Sequence, residues 1–207
     1  MSGQVKVREK RGKPSHRDDL RAELLAAAYV FVEREGHESL SMRRLADEIG
    51  VSSGAPYHHF PDRRSLLLAV ALEGYRRMFE WDESYSQDIT LPRGRIEHSC
   101  QSFLRFAMEN GHIFTLMYES ELVRPHLAQE IRDAQDAGFQ RLHADYLHAA
   151  PGLTDRERAI RIATMWCAVF GFALQTNRQM IRSPLPEPNP DELAQEVVMR
   201  ALRLLDD

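Results

Sequence analysis

Few side chains in this chain are spaced for covalent or metal chemistry. His58 and His59 are adjacent, and on a helix adjacent residues point about 100° apart, while the nearby carboxylate of Asp62 lies beyond Pro61. They do not converge on a zinc ion. Cys100 and Cys167 are too few for a four-thiolate site, and their apolar neighbours read as buried, inert thiols. The alternative use of that pair is a redox switch, which needs the two alpha carbons within about 7 Å. The run Gly50-Val51-Ser52-Ser53-Gly54 has Gly-x-Ser-x-Gly spacing but joins two helical stretches, where a nucleophile elbow joins a strand to a helix, and no phosphate-cradling glycine loop or His-Glu-x-x-His run occurs. The reading is therefore no enzyme, with catalytic residues none, metal none and cofactors none. What remains is cationic chemistry. Residues 1–17 carry Lys6, Arg8, Lys10, Arg11, Lys13 and Arg17 against Glu9 alone. Such an arm binds a polyanion through counterion release, with a merely solvated tail as the plainer alternative.

The rest of the chain must position that chemistry. Its 207 residues allow one or two domains, and 43% hydrophobic residues exclude a wholly disordered chain. The net charge of -4 divides into +3 for residues 1–78 and -7 for the remainder, a basic head on an acidic body. No run of 18 apolar residues is present and the N-terminus is charged, so a cytoplasmic protein with no membrane partner is expected. The punctuation predicts helices throughout. Ser15 with Asp18 opens the first, which carries Leu20, Leu24, Ala28, Phe31 and Val32 and stops at Gly36. A second, with Met42, Leu45, Ala46 and Ile49, starts at Ser41 and closes at Gly50. Ser52 is expected to cap a third through His59, broken by Pro61, and a fourth carries Leu66 to Met78. Further helices run from Pro92 to Asn110, Ile113 to Glu119, Pro125 to His148, Thr154 to Ile181 and Asn189 to Leu205. Residues 84–91 and 183–188 read as loops. The expectation is an all-α chain of about nine helices.

The second helix, the turn at Gly50 and the third helix have helix-turn-helix spacing, which lets a short second helix enter a major groove. Residues 21–69 resemble the DNA-binding domain of the TetR family of bacterial transcriptional regulators. The resemblance rests on Leu24-Leu25-Ala26-Ala27-Ala28, Glu35-Gly36, Leu45-Ala46, Ile49-Gly50-Val51-Ser52 and Gly54-Ala55-Pro56-Tyr57-His58-His59-Phe60. It implies an arm at 1–16, a DNA-binding domain at 17–62 and a ligand-binding and dimerisation bundle at 63–207, with 63–80 as connecting helix. It also implies a DNA-binding set of Ser41, Arg43, Arg44, Ser52, Ser53, Gly54, Ala55, Tyr57, His58 and Arg63, with Arg64 beside it. Hydroxyls and guanidinium groups there would hold phosphates, and Tyr57 and His58 would meet phosphate or base. Pro56 departs from the family's frequent Leu. Small residues at 53–55 allow close backbone approach but read few bases, so DNA shape would contribute to specificity. Phe60, Leu45, Ile49 and Val51 read as core, and Tyr57 has a buried spacer as its alternative.

The same resemblance implies an effector pocket among the later helices, with Phe79, Trp81, Phe103, Phe106, His112, Phe114, Met117, Tyr118, Trp166 and Phe170 as candidates for an apolar or aromatic small-molecule ligand. Glu119, Gln175 and Asn177 are further polar candidates. The run Trp166-Cys167-Ala168-Val169-Phe170-Gly171 is similar to a Trp, His, Gly signature of one subgroup, with Phe170 in place of the His. The partners implied are a double-stranded DNA operator and a second copy of the chain. Dimerisation would use the last two helices, with Leu193, Val197, Ala201 and Leu204 as a stripe, and the operator would be a near palindrome. Ligand binding would move the connecting helix and separate the reading heads, relieving repression. A thiol-sensing regulator using Cys100 and Cys167 and a protein-binding adaptor without DNA affinity are the competing functions.

Overall fold

A computed structural model describes residues 16–86, 88–124, 128–181 and 189–205. Every regular element among them is helical. The α-helices are α1 His16–Glu35, α2 Met42–Ile49, α3 Arg63–Ser86, α4 Pro92–Glu109, α5 Gly111–Tyr118, α6 Gln129–Ala149, α7 Asp155–Asn177 and α8 Pro190–Ala201. Single 3-10 turns lie at Ala55–His58, Glu121–Val123 and Leu202–Leu205.

Three helix starts follow the capping residues in the sequence. Ser41 Oγ accepts the Arg44 N–H at 3.2 Å, Thr154 Oγ1 that of Glu157 at 3.2 Å, and Asn189 Oδ1 that of Asp191 at 3.0 Å. Gly50 closes α2 at φ 73°, left-handed backbone that a side chain would strain, and its neighbour Val51 donates to Ala46 O at 3.0 Å. The expected cap at Ser15, the arm, Pro125 and the 183–188 linker lie outside the described residues.

Several boundaries differ from expectation. The third helix is only the 3-10 turn Ala55–His58, with Gly54 as its cap and no side-chain cap bond. Ser52 contributes its main-chain carbonyl, which accepts the Ala55 N–H at 2.9 Å. The cause is proline at both ends: Pro56 occupies the start, and Pro61 disfavours helical backbone at Phe60. The fourth helix runs past residue 80 to Ser86, so the expected 84–91 loop begins inside α3. α7 stops at Asn177 rather than Ile181, because Gln179 turns to φ 53°.

The N-terminal unit packs Leu24, Ala28, Phe31 and Val32 of α1 against Leu45, Phe60, Leu66 and Leu67. Each fully buried side chain of this kind contributes about 1.5–3 kcal/mol. α4 is the centre of the second unit and packs against α3, α6, α7 and α8. Phe103, Leu104, Ile113, Met117, Ile162, Met165, Val169 and Val198 form its interior. The 24 residues of α3 extend about 36 Å and belong to both units. α1 also touches α5, so the two units share a packed joint. By length and composition α7 is apolar enough to cross a membrane, with mean hydropathy 1.3 over 18 residues. In this fold one of its faces packs on α4, α6 and α8 and another remains open.

Candidate functional site

Two regions gather the side chains that the sequence singles out. The first is the α2 corner. Arg43, Ser52, Ser53, Gly54, Tyr57 and His58 are exposed, while Ser41 and Ala55 are half-buried. Tyr57 is 54% exposed and so is not the buried spacer of the alternative reading, whereas Leu45 and Phe60 are core and Ile49 packs against it. The cations divide by what they touch. Arg43 makes no hydrogen bond or ion pair among the described residues, so its donors face outward. Arg44 is engaged along the protein surface, pairing with Glu35 at 2.8 Å, donating to Ser39 O at 3.2 Å and stacking over the Phe31 ring at 4.7 Å. Arg63 donates to Leu40 O at 2.7 Å and to His37 O at 2.5 Å, clasping the α1–α2 connection. Arg64 donates to Leu122 O at 2.9 Å, across the joint.

The second region is a cavity of about 410 Å³ enclosed by α3, α4, α5, α6 and α7. Five of the ten expected ligand residues line it: Phe79, Phe103, Tyr118, Trp166 and Phe170. The rings of Phe103, Tyr118, Trp166 and Phe170 form a continuous wall, with centroids 4.7 Å apart for Phe103 and Trp166, 5.3 Å for Tyr118 and Phe170, and a stacked pair, Trp166 and Phe170, at 6.2 Å, and Phe79 joins it through Tyr75. The other five lie elsewhere. Phe106 and Met117 are core, and Phe114 is fully buried behind the wall, 4.8 Å from Tyr118. Trp81 sits two residues beyond Phe79, about 200° around α3, and points away from the cavity lining. His112 is exposed at the joint, with Nδ1 3.0 Å from Glu33 O and its ring against Gly36. The three further polar candidates are also outside: Glu119 pairs with Arg178, Asn177 donates to Thr115 Oγ1 at 2.9 Å, and Gln175 is exposed.

Sequence reasoning missed the polar half of this cavity. α3 contributes Tyr75, Met78 and Asp82, α4 contributes Ser99, Cys100 and Ser102, and α6 contributes Gln135, Asp136, Gly138, Phe139, Arg141 and Leu142. The signal was present, because 75, 78, 79, 82 and 135, 138, 139, 142 are both one-face helical spacings. Ending the connecting helix at residue 80 hid the first. Gln135 Nε2 donates to Tyr75 Oη at 2.9 Å, and that hydroxyl donates to Met117 O at 3.4 Å. Burial pushes the Tyr75 phenol up to about 12 and raises the Tyr118 phenol well above its ordinary value. Ser99 Oγ donates to Asp82 Oδ2 at 3.1 Å, and burial raises the Asp82 carboxyl above the ordinary carboxylate range.

A Ser, His and Asp meet here without forming a catalytic relay. His98 Nε2 faces Ser102 Oγ at 3.2 Å, Asp82 O at 3.3 Å and Asp82 Oδ1 at 3.5 Å. All three contacts use one ring nitrogen, whereas a relay places its base and its orienting carboxylate on opposite nitrogens. Among the described residues no group of three His, Cys, Asp or Glu could hold a metal. Both cysteines are free. Cys100 is buried in the cavity wall, and burial with the nearby Asp82 and Glu97 charges pushes its thiol up to about 12, opposite to a reactive thiolate. Cys167 is exposed on α7, which corrects the expectation that both thiols are buried. The thiol-switch reading gains no support from this arrangement.

Residues 24–70 match the profile of bacterial regulatory proteins, tetR family, and residues 96–201 match the tetracyclin repressor-like C-terminal domain. The HTH-type transcriptional activator FasR of Mycolicibacterium smegmatis is 30% identical over 130 residues, 62% of this chain and 59% of FasR. The HTH-type transcriptional repressor AcnR of Corynebacterium diphtheriae is 42% identical over 60 residues, 29% of this chain and 32% of AcnR. The chain thus spans less than two thirds of the length of these relatives. A solved protein of unknown function from Rhodococcus sp. RHA1 superposes with TM-score 0.75 at 26% identity, covering 95% of this chain and 98% of that one. A transcriptional regulator of the TetR/AcrR family from Thermobifida fusca shares the fold, with TM-score 0.67 at 22% identity over 89% of this chain and 97% of its own. With an exposed helix-turn-helix corner at one end and both halves matched in order, the chain belongs to the TetR family of bacterial transcriptional regulators.

Proposed function

We propose that this regulator is a cytoplasmic, ligand-responsive repressor that holds a near-palindromic operator as a homodimer and releases it when a small, largely aromatic effector fills the cavity. The observation that carries the reading is that α3 lines the cavity with Tyr75, Met78, Phe79 and Asp82 and, at its other end, clasps the reading corner through Arg63. A shift of α3 therefore drags the carbonyls of His37 and Leu40, and α2 with them. His112 on Glu33 O and Arg64 on Leu122 O brace the same joint. A coupling of about 1–3 kcal/mol changes operator affinity by roughly 5 to 150-fold.

Within the expected DNA-binding set, Ser41, Arg43, Ser52, Ser53, Gly54, Ala55, Tyr57 and His58 form the proposed contact surface. Arg44 and Arg63 position it, since their guanidinium groups are directed at protein oxygens. The dimer is supported by the outer face of α7, where Ala159, Ile160, Ala163, Thr164, Cys167 and Ala168 are exposed. Small residues there let a second helix approach closely. Met199 of α8 is 53% exposed beside it. The inward stripe of α8 is Ala194, Val198 and Ala201, while the expected Leu193 and Val197 are half-buried at its flank. The side chain of Leu204 lies outside the described residues.

The test is fluorescence anisotropy with a duplex selected from a randomised pool, run across a salt series alongside sedimentation. The expected result is a dimer whose log affinity falls linearly with log salt. A monomer that retains no duplex at low ionic strength overturns the reading.

A further inference from the structure

Resting on the effector-pocket reading above, the chemistry of the cavity narrows what can enter it. Part of the lining is aromatic, and it also includes the carboxylate of Asp82. Its side chain is 20% exposed, and Oδ1 is buried with no hydrogen-bond partner among the described residues, while Oδ2 takes the Ser99 hydroxyl. A buried carboxylate oxygen that accepts no hydrogen bond is costly unless something compensates it. His98 stands 3.5 Å from Oδ1, but its Nε2 is already shared with Asp82 O and Ser102 Oγ.

Arg141 is the cation at the cavity mouth, and it is engaged: it pairs with Glu83 at 2.6 Å and lies over the Phe79 ring, 5.1 Å from its centroid. That placement puts a cation over one aromatic ring of the lining, Phe79. Asp136, exposed at the mouth, adds a second negative charge. An anionic ligand would meet Asp82 in the lining, and a purely apolar one would leave Oδ1 without a hydrogen bond.

We propose that the effector is an organic cation, an aromatic body that lies among Phe103, Trp166 and Phe170 and carries a protonated amine received by Asp82. A charge-assisted hydrogen bond to Oδ1, with Ser99 holding Oδ2, would complete the carboxylate.

The test uses three probes of one shape, 1-naphthylmethylamine, 1-naphthalenemethanol and 1-naphthoate, titrated into the full chain by calorimetry and by Trp fluorescence. The amine is expected to bind at least about tenfold more tightly than the alcohol, with the carboxylate weakest. In Asp82→Asn the preference for the amine should vanish while affinity for the alcohol is retained, which also shows that the variant is folded. Equal binding of amine and alcohol, or tightest binding of the carboxylate, overturns the cation inference and leaves the pocket standing. Binding of none of the three, or undiminished binding in the cavity-filling Ser102→Phe variant, overturns the pocket reading and this inference with it.

Discussion

At the scale of single residues, what an arginine touches separates reading from holding. Arg43→Ala should leave the melting temperature within about 1 °C and lower the slope of log affinity against log salt by about one, because only a phosphate contact is lost. Arg63→Ala removes two short bonds to main-chain carbonyls and should cost about 1–3 kcal/mol in denaturant unfolding, with weaker DNA binding as a consequence of a loosened corner. Equal stability loss in both variants would contradict this division. Replacing Tyr57 and His58 together by Ala, both exposed, should weaken operator binding by at least about tenfold with stability and dimer unchanged. Asp82 carries a stability signature as well. Its folded carboxyl titrates above the unfolded one, so the unfolded chain ionises first as pH rises, and the native state loses stability through that window. Asp82→Asn should therefore melt higher than the parent near pH 7, and the gap should close toward pH 3, below both values. A gap that stays constant with pH would refute the assignment.

Elements are set by local chemistry where a cap or a proline acts, and by packing where neither does. Ser41→Ala should cost about 1 kcal/mol, the usual value of a side-chain cap, and should fray the start of the helix that holds Arg43. The crossing of α3 and α5 depends on Gly74. A Cβ there would stand 2.6 Å from Met117 Sδ and 3.0 Å from Ile113 Cγ2, so Gly74→Ala should destabilise by about 1–3 kcal/mol, read from the urea midpoint. Because α5 also carries Tyr118, that variant should weaken probe binding even though residue 74 does not line the cavity. On α3 the half-buried Glu73 carboxylate is held down to about 2 by Arg76 and Arg77. Its small stabilising contribution is present above the ordinary carboxylate range and is lost as pH falls toward 2.

At the scale of the whole molecule, the open face of α7 is the surface proposed to receive a second copy. Ala168→Arg places a charge on an exposed position, so the monomer fold should survive while sedimentation shifts toward the single chain and operator affinity falls by at least about tenfold. An intact dimer in that variant would move the interface elsewhere. The helical class, the α2 caps, the Gly50 stop and the order of the two halves were legible because each depends on residues a few positions apart, whose hydrogen bonds and periodicity are local. Local information also placed Phe79, Phe103, Tyr118, Trp166 and Phe170 on apolar helical faces. It could not distinguish them from Phe106, Phe114 and Met117, because all eight are large apolar groups and only the approach of α6 leaves space beside five of them. The same limit hid Asp82 and the engagement of Arg44 and Arg63 by protein oxygens. A charge reads as exposed from sequence alone, and whether it meets water, a carbonyl or an empty cavity is decided by helices that arrive from distant parts of the chain.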